Sequence, residues 1–419
     1  MKKVHFLELS LHGHLVGWLA GFQDGRNILH FAPEFSANNK RPTLSILTYE
    51  KFPRAEKLLS RAWQQRQRLH PLLSNLLPEG ALRELITREL KIHIDNEFEM
   101  FTHLGGGLPG ALIAKPLPPD QLPPFLQANY AENNLEEGVA ASAKAYQNHR
   151  FSLAGVQLKF SIKLAGKSCS LTDSGTTEDW IIKTPSTQHK GVVFNEYSAM
   201  RLAEAAGVYI PEIKLVEHKY LHNTSALNLS AEPVYAIKRF DRQQNLRIHS
   251  EDFAQVLAKY PHEKYDFANY QQIGTILYRY SGDGLADVQQ FARRLLVNIL
   301  LGNGDAHLKN WSLIYPDRVT PRLSPAYDIV FTRAYLTNEQ SIALNLAGTK
   351  KWYQINLDHF AKWAKKADIP WRAVKVHLTD TLERAREKWQ KMLAELPMNQ
   401  EHKKSLRQHW SKLHRDFRI

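Results

Sequence analysis

The strongest constraint on this chain is where its two hydrophobic periods fall. Short alternating runs, VHFLELSL, LVGWLAGF and ILHFAP, open the sequence, and FSLAGVQLKFSIKLAG, DWIIKTP and VYAIKRFDR follow further on. Side chains on a strand alternate between faces, so these runs read as half-buried strands. From about Glu251 the period lengthens to that of helices, in DFAQVLAKY, ADVQQFARRLLVNILL, DHFAKWAKKA, TLERAREKWQKMLAEL and KKSLRQHWSKLHRDF. Strand-rich sequence followed by helix-rich sequence predicts an α+β, bilobed arrangement with a β-rich part before an α-helical lobe. A cleft between two such lobes is a favoured ligand site.

The sharpest break in composition is PLPPDQLPPF, with five prolines between Pro116 and Pro124, followed by a polar stretch to His149. It predicts a linker over 116–150. The expected units are therefore an N-terminal domain over 1–115, a β-rich lobe over 151–245 and a helical lobe over 246–419. At 419 residues the chain can hold several cores, and 43% hydrophobic residues place it among globular proteins. No apolar run approaches the roughly 20 residues that span a bilayer. Lys2 and Lys3 before apolar residues mimic a leader, but Glu8, His12 and His14 interrupt it, so a strand pair and a cytoplasmic chain are expected. A single cysteine, Cys169, excludes an internal disulfide framework. The net charge is +13, and from Ala361 onward there are 15 Lys/Arg against 7 Asp/Glu. Such excess attracts polyanions, nucleic acid first, although it also suits a solvated helical face. The five tryptophans from Trp352 onward are expected to pack these helices.

Candidate chemistry concentrates in LLGNGDAHLKNWSL, Leu300–Leu313. Asp305 and Asn310 stand in a D-x-x-x-x-N spacing, which lets a short irregular loop present one carboxylate as base and one amide oxygen to a metal. Lys309 is placed to neutralise a transferring phosphoryl group. The plain alternative is a helix C-terminus with Gly302, Asn303 and Gly304 as cap and turn. Phosphoryl transfer also needs a second metal carboxylate, and SPAYD supplies Asp328. It needs a strand lysine on the phosphates, supplied by Lys183 in IIKTP, and a helix glutamate behind it, supplied by Glu196. A phosphate-covering loop is offered by SLAGVQLK, ending in Lys159. Each feature alone is commonly structural; their order on the right elements favours phosphoryl transfer.

These residues carry a family resemblance. NGDAHLKN (303–310) resembles the N-x-D-x-H-x-K-N loop of HipA-type serine/threonine kinases, toxins of bacterial toxin–antitoxin pairs. SLAGVQLK (152–159) resembles that family's nucleotide loop, IIKTP, NEY, IKRFDR and SPAYD resemble its further motifs, and NLLPEG (75–80) and LGGGLPGAL (104–112) resemble its N-terminal ones. Gly107 departs from the polar residue expected there. The resemblance implies a protein-kinase-like fold using ATP and Mg²⁺. Asp305 would be the base, with His307 and Lys309 completing the catalytic loop, and Asn310 and Asp328 the metal ligands. Lys183, backed by Glu196, would grip phosphates covered by Ala154, Gly155, Val156, Gln157, Leu158 and Lys159. Lys238, Arg239 and Phe240 would meet adenine, with Asp241 near the ribose and Tyr327 beside the nucleotide. Ser152 would be an autophosphorylation site that switches the enzyme off. The implied partners are a helix-turn-helix antitoxin of HipB type and, through it, operator DNA; an aminoacyl-tRNA synthetase is the implied kind of substrate. Two other readings stay open: a non-catalytic kinase-like co-repressor, and a metal-dependent hydrolase using Asp305, His307 and Asp328.

Overall fold

The structure, a computed structural model, describes residues 3–135, 159–165, 168–170, 179–186, 188–222, 232–266 and 268–419. The opening alternation folds as expected. Strands β1 (Lys3–Leu11) and β2 (His14–Phe22) form a hairpin, and β3 (Arg26–Phe31), β4 (Trp63–Arg66) and β5 (Leu112–Leu117) complete the sheet in the order β4-β3-β2-β1-β5. His12 and Gly13 turn the hairpin at φ 51° and 80°. The positive φ of both residues gives the turn a twist that matches the right-handed twist of the strands it joins.

The expected linker is corrected over its first part. Pro116 and Leu117 lie in β5, Pro124 starts the helix Pro124–Asn129, and Asn134–Leu135 pairs with β1. Leu122, Leu126 and Tyr130 are buried in the same core as Phe6, Phe22 and Phe101. Proline here does not disorder the chain, because it fits the first turn of a helix, where no N–H bond is lost. The N-terminal unit therefore reaches at least Leu135. The remainder of the stretch, and Ser152 with Ala154, Gly155, Val156, Gln157 and Leu158, lie outside the described residues.

The second sheet runs Ile213–Val216, Val234–Lys238, Trp180–Lys183, Lys159–Ala165, Ser168–Ser170, Leu221–His222. Its strands alternate sharply. Ile182, Val234 and Ala236 form a small outer core, whereas Tyr235 and Ile237 join the main core with Ile181 packed against it. The helix Val192–Ala205 lies in that main core, ending just before Gly207 at φ 89°. The helical lobe is built on Tyr270–Tyr280, Gly284–Leu300, Leu357–Lys366, Trp371–Glu395 and Gln400–Lys412. Trp352, Trp363, Trp389 and Trp410 are fully buried among them. DFAQVLAKY is helical only over Phe253–Val256, because Ala258 turns left-handed at φ 50°. No described helix is long and apolar enough to cross a membrane.

Candidate active site

The expected turn and the expected catalytic loop are the same object. The helix Gly284–Leu300 ends with Leu301 as its cap, and Gly302 follows at φ 56°. The Asn303 side chain then makes three bonds, one of them from Nδ2 to the Asp328 carbonyl at 3.4 Å. Its Nδ2 also donates to Asn298 Oδ1 at 2.7 Å, and its Oδ1 accepts the Asp305 N–H at 3.1 Å. Farther along, Asn310 Nδ2 donates to the Asp305 carbonyl at 2.7 Å, which leaves the amide oxygen as the atom that can meet a cation. The buried Trp311 and Tyr270 both donate to the Ala306 carbonyl, at 3.2 and 3.0 Å. Arg294, buried on the helix, donates to the Asn310 carbonyl and lies 4.4 Å over the Trp311 ring. The loop is thus fixed from beneath, while the Asp305 side chain stays about half exposed. His307 is buried, and burial outweighs the Asp305 charge to hold its pKa below the usual value. Its Nε2 lies 3.9 Å from Asp305 Oδ1.

Next to the loop, where Asn303 Nδ2 donates to the Asp328 carbonyl, stands a four-member charge cluster. Lys159 and Lys183 are direct cross-strand neighbours, a pairing of like charges that opposes sheet formation. Asp328 resolves it: its Oδ1 accepts from Lys183 and its Oδ2 accepts from Lys159 at 3.2 Å. Lys183 also donates to Glu196, which projects from the buried helix behind the sheet. Burial pulls the Lys183 ammonium down, but Asp328 and Glu196 outweigh it and hold the group well above its ordinary value. Burial likewise opposes the Asp328 charge, yet Lys159 and Lys183 keep its carboxyl far below the usual carboxylate range. Glu196 moves the other way, since burial and the Asp328 charge exceed the pull of Lys183. Asp328 itself sits at φ 54°, a left-handed backbone that a short polar residue tolerates and that turns its side chain into the cluster.

Two expected roles acquire different partners. Asp241, expected near a ribose, is buried and saturated. Arg239 donates to both its oxygens at 2.8 and 2.7 Å, Arg242 donates at 2.9 Å, and the Gly110 N–H donates at 2.9 Å. The arginines outweigh its burial and hold it strongly ionised. Asp241 is therefore a joint between the second sheet and the LGGGLPGAL segment. A Cβ on Gly110 would lie 2.9 Å from the Ser250 nitrogen, and its φ of 70° suits glycine. Lys309, expected on the transferring phosphoryl group, instead donates to Asp252 at 2.8 Å and to Asn75 O and Oδ1 at 3.0 Å, and lies 3.3 Å from Glu79. Asn75 and Glu79 belong to NLLPEG, so this motif clamps the catalytic loop to the N-terminal domain. Lys238 is exposed at the end of its strand, and Phe240 stacks obliquely on Tyr327 with centroids 5.5 Å apart. The Tyr327 hydroxyl donates to the Lys309 carbonyl at 2.8 Å. Sequence reasoning missed Arg294, Asn298, Asp252, Arg242 and Tyr265. A polar residue inside an apolar helical run was the only available signal for the first two.

Part of this set lines one cavity of about 520 Å³, namely Lys159, Lys183, Asp328, Lys309, Tyr327 and the segment 237–241, with Leu77, Leu82 and Leu108 as an apolar wall. Asp305 and Asn310 are not among its lining residues. The set fits a nucleotide with a hard divalent cation. Two ammonium groups converge on one carboxylate, and Asp328 and Asn310 would supply oxygen donors of the kind Mg²⁺ prefers. Among the described residues no three His, Cys, Asp or Glu side chains gather as a metal group, so the hydrolase arrangement of Asp305, His307 and Asp328 is not assembled.

Comparison with known proteins agrees. The model of the HipA-like C-terminal domain matches residues 151–389, and that of the HipA N-terminal domain matches residues 7–115. The chain is 40% identical over 405 residues to "Putative kinase Y4dM" of Sinorhizobium fredii, covering 95% of this chain and 94% of that one. It is 27% identical over 297 residues, 65% of each chain, to the "Serine/threonine-protein kinase toxin HipA" of Shewanella oneidensis. Among solved structures, the Shewanella oneidensis complex of HipA, HipB and operator DNA contains a chain of the same fold. The TM-score is 0.70 at 20% identity, over 97% of this chain and 95% of that one. Matched by both domain models in order and by a relative along nearly its whole length, the chain belongs to the HipA family of kinase toxins.

Proposed function

We propose that this chain is an ATP-dependent serine/threonine protein kinase acting as the toxin of a toxin–antitoxin pair. The observation that carries this reading is Lys183, shared between Glu196 and Asp328, with Asp328 tied through its carbonyl to Asn303 of the loop that carries Asp305 and Asn310. Lys183 and Lys159 would hold the phosphates, and Asp328 and Asn310 would hold Mg²⁺. When bound, the metal neutralises charge developing on the transferred group. Asp305, exposed and fixed from below by Asn303 and Asn310, would orient an acceptor hydroxyl and take its proton. Transfer of labelled phosphate from ATP tests the reading. Asp305→Asn should lower turnover about 10²- to 10⁴-fold with an unchanged melting temperature. Equal transfer by both proteins would refute the role of Asp305, and no transfer above background by the wild type would leave the non-catalytic co-repressor.

Three finer roles rest on the family resemblance. Ser152, beside the nucleotide loop, would be the autophosphorylation site, and Ser152→Asp should weaken ATP binding by setting negative charge against the phosphates. The partner would be a helix-turn-helix protein on operator DNA, consistent with the +13 charge. A gel shift of that complex that did not tighten on adding this chain, or was indifferent to salt, would refute this role. The substrate would be a translation component such as an aminoacyl-tRNA synthetase, tested by comparing phosphopeptides after induction of wild type and Asp305→Asn.

A further inference from the structure

The segment from Lys259 to Asp266 belongs to the helical lobe, yet the N-terminal domain holds it. Asn75 Nδ2 donates to the Lys259 carbonyl at 2.7 Å, and the Tyr260 hydroxyl donates to Gln65 at 3.3 Å. Arg68 donates to His262 at 2.8 Å, and Lys264 donates to Glu79 at 3.0 Å. The same segment touches the catalytic loop, since the Leu308 N–H donates to the Lys264 carbonyl at 3.2 Å. These ties deliver Tyr265 to the base. Its ring stands edge-on to His307, centroids 5.0 Å apart, and its hydroxyl donates to Asp305 Oδ1. Tyr265 is 40% exposed, so core packing does not account for its position.

An acceptor hydroxyl in phosphoryl transfer makes this same bond to this same group. We propose that Tyr265 occupies the acceptor position on Asp305 and guards the base against water until an acceptor segment displaces it. The proposal rests on the kinase reading above. In the guarded reaction, the oxygen of water bonds to the γ-phosphorus and the bond to the β-bridging oxygen breaks. The water proton passes to Asp305, and ADP and phosphate leave. With a phenol on Oδ1, a water must compete for its place there, and idle hydrolysis is lowered. A serine or threonine on a docked protein competes because its segment gains further contacts. The tether to Glu79, which also holds Lys309, links the guard's position to the N-terminal domain.

Two measurements test this. In nucleotide-free protein carrying ring-labelled tyrosine, NMR follows the Tyr265 phenol, assigned through Tyr265→Phe. Burial and the Asp305 hydrogen bond and charge raise its pKa, so Asp305→Asn should lower it. With Mg-ATP, Tyr265→Phe should raise the hydrolysis rate about fivefold, the scale of one ordinary net hydrogen bond. The KM for ATP should stay within about twofold, since no ATP-contacting group is touched. Lys264→Met, which releases the tether and keeps the phenol, should shift the rate the same way by a smaller factor. A folded Tyr265→Phe protein with unchanged or slower hydrolysis overturns the guard, as does a phenol titration indifferent to Asp305. A titration that responds to Asp305, in a protein with no Asp305-dependent transfer, overturns the kinase reading and the guarding role with it.

Discussion

Lys183 shows how a single residue can be both structural and functional. Its side chain is 5% exposed and that of Glu196 is 1%, so neither charge is hydrated and each depends on the other. Removing one partner of a buried pair strands the other, at a cost of about 3–5 kcal/mol. Lys183→Met should therefore lower stability by about 3 kcal/mol in urea unfolding, and adding Glu196→Gln should restore part of it. Lys309 behaves similarly with less burial. Lys309→Ala leaves Asp252 and Glu79 facing each other's charge and should cost about 2 kcal/mol, read by the same unfolding midpoint. Lys183, Glu196 and Asp328 were legible in the sequence as a strand lysine, a helix glutamate and a later aspartate in the order phosphoryl transfer needs. Asp328 was legible also as a charge inside a short apolar run, where only a partner or a cation makes burial tolerable. The clamping of Lys309 was not legible, because Asn75 is 234 positions away and its motif carries no charge pattern that names a partner.

At the scale of elements, the catalytic loop is the C-terminal cap of a helix. Gly302 reverses the chain at φ 56°, and a Cβ there would lie 3.3 Å from both His409 and Phe331. Gly302→Ala should destabilise the protein by about 1–2 kcal/mol, visible in thermal melts, and displace Asp305 enough to slow turnover. The helix, its end and the glycine were all readable from LLVNILLGNG, since capping is local chemistry. The fate of PLPPDQLPPF was not. Proline content suggested a linker, but the intervening Leu122, Leu126 and Tyr130 find a core only because β1 and β2 have already formed one. The short helix at Phe253 was overestimated for the converse reason. Its apolar residues suit a longer helix, yet Asp252 and Gln255 cap a single turn that fits between Leu72 and the catalytic loop.

At the scale of the whole molecule, the N-terminal domain and the helical lobe share a buried carboxylate. Glu251, on the strand His249–Asp252, accepts from Ser45 Oγ and the Ile46 N–H at 2.7 Å, and from the Tyr315 hydroxyl. Burial outweighs these three donors and pushes its pKa up to about 7. The folded state therefore holds a proton that the unfolded chain releases near its ordinary value. Stability from this group is full at pH 4 and falls as pH rises toward 7, because above that the buried charge is present. Glu251→Gln removes the charge. Its Oε1 can still accept from Ile46 and Tyr315, and its amide nitrogen can donate to Ser45 Oγ in place of accepting from it. The substitution should raise unfolding free energy by about 1–3 kcal/mol at pH 8 and by much less at pH 5, read by urea unfolding at both values.

What the sequence determined by itself is what depends on neighbours along the chain. The alternation of VHFLELSL set strands, the longer period after Glu251 set helices, and the spacing from Asp305 to Asn310 set a loop able to present a base and an amide. Even the kinase-like order of Lys183, Glu196 and Asp328 is a linear property. Only the tertiary structure decided which charges those groups meet. Asp241 is bonded by Gly110 from 131 positions away, Lys309 by Asn75 and Glu79, and Asp305 by the hydroxyl of Tyr265. Such contacts form where separately folded layers close against each other, and desolvation there selects partners by geometry rather than by any pattern along the chain.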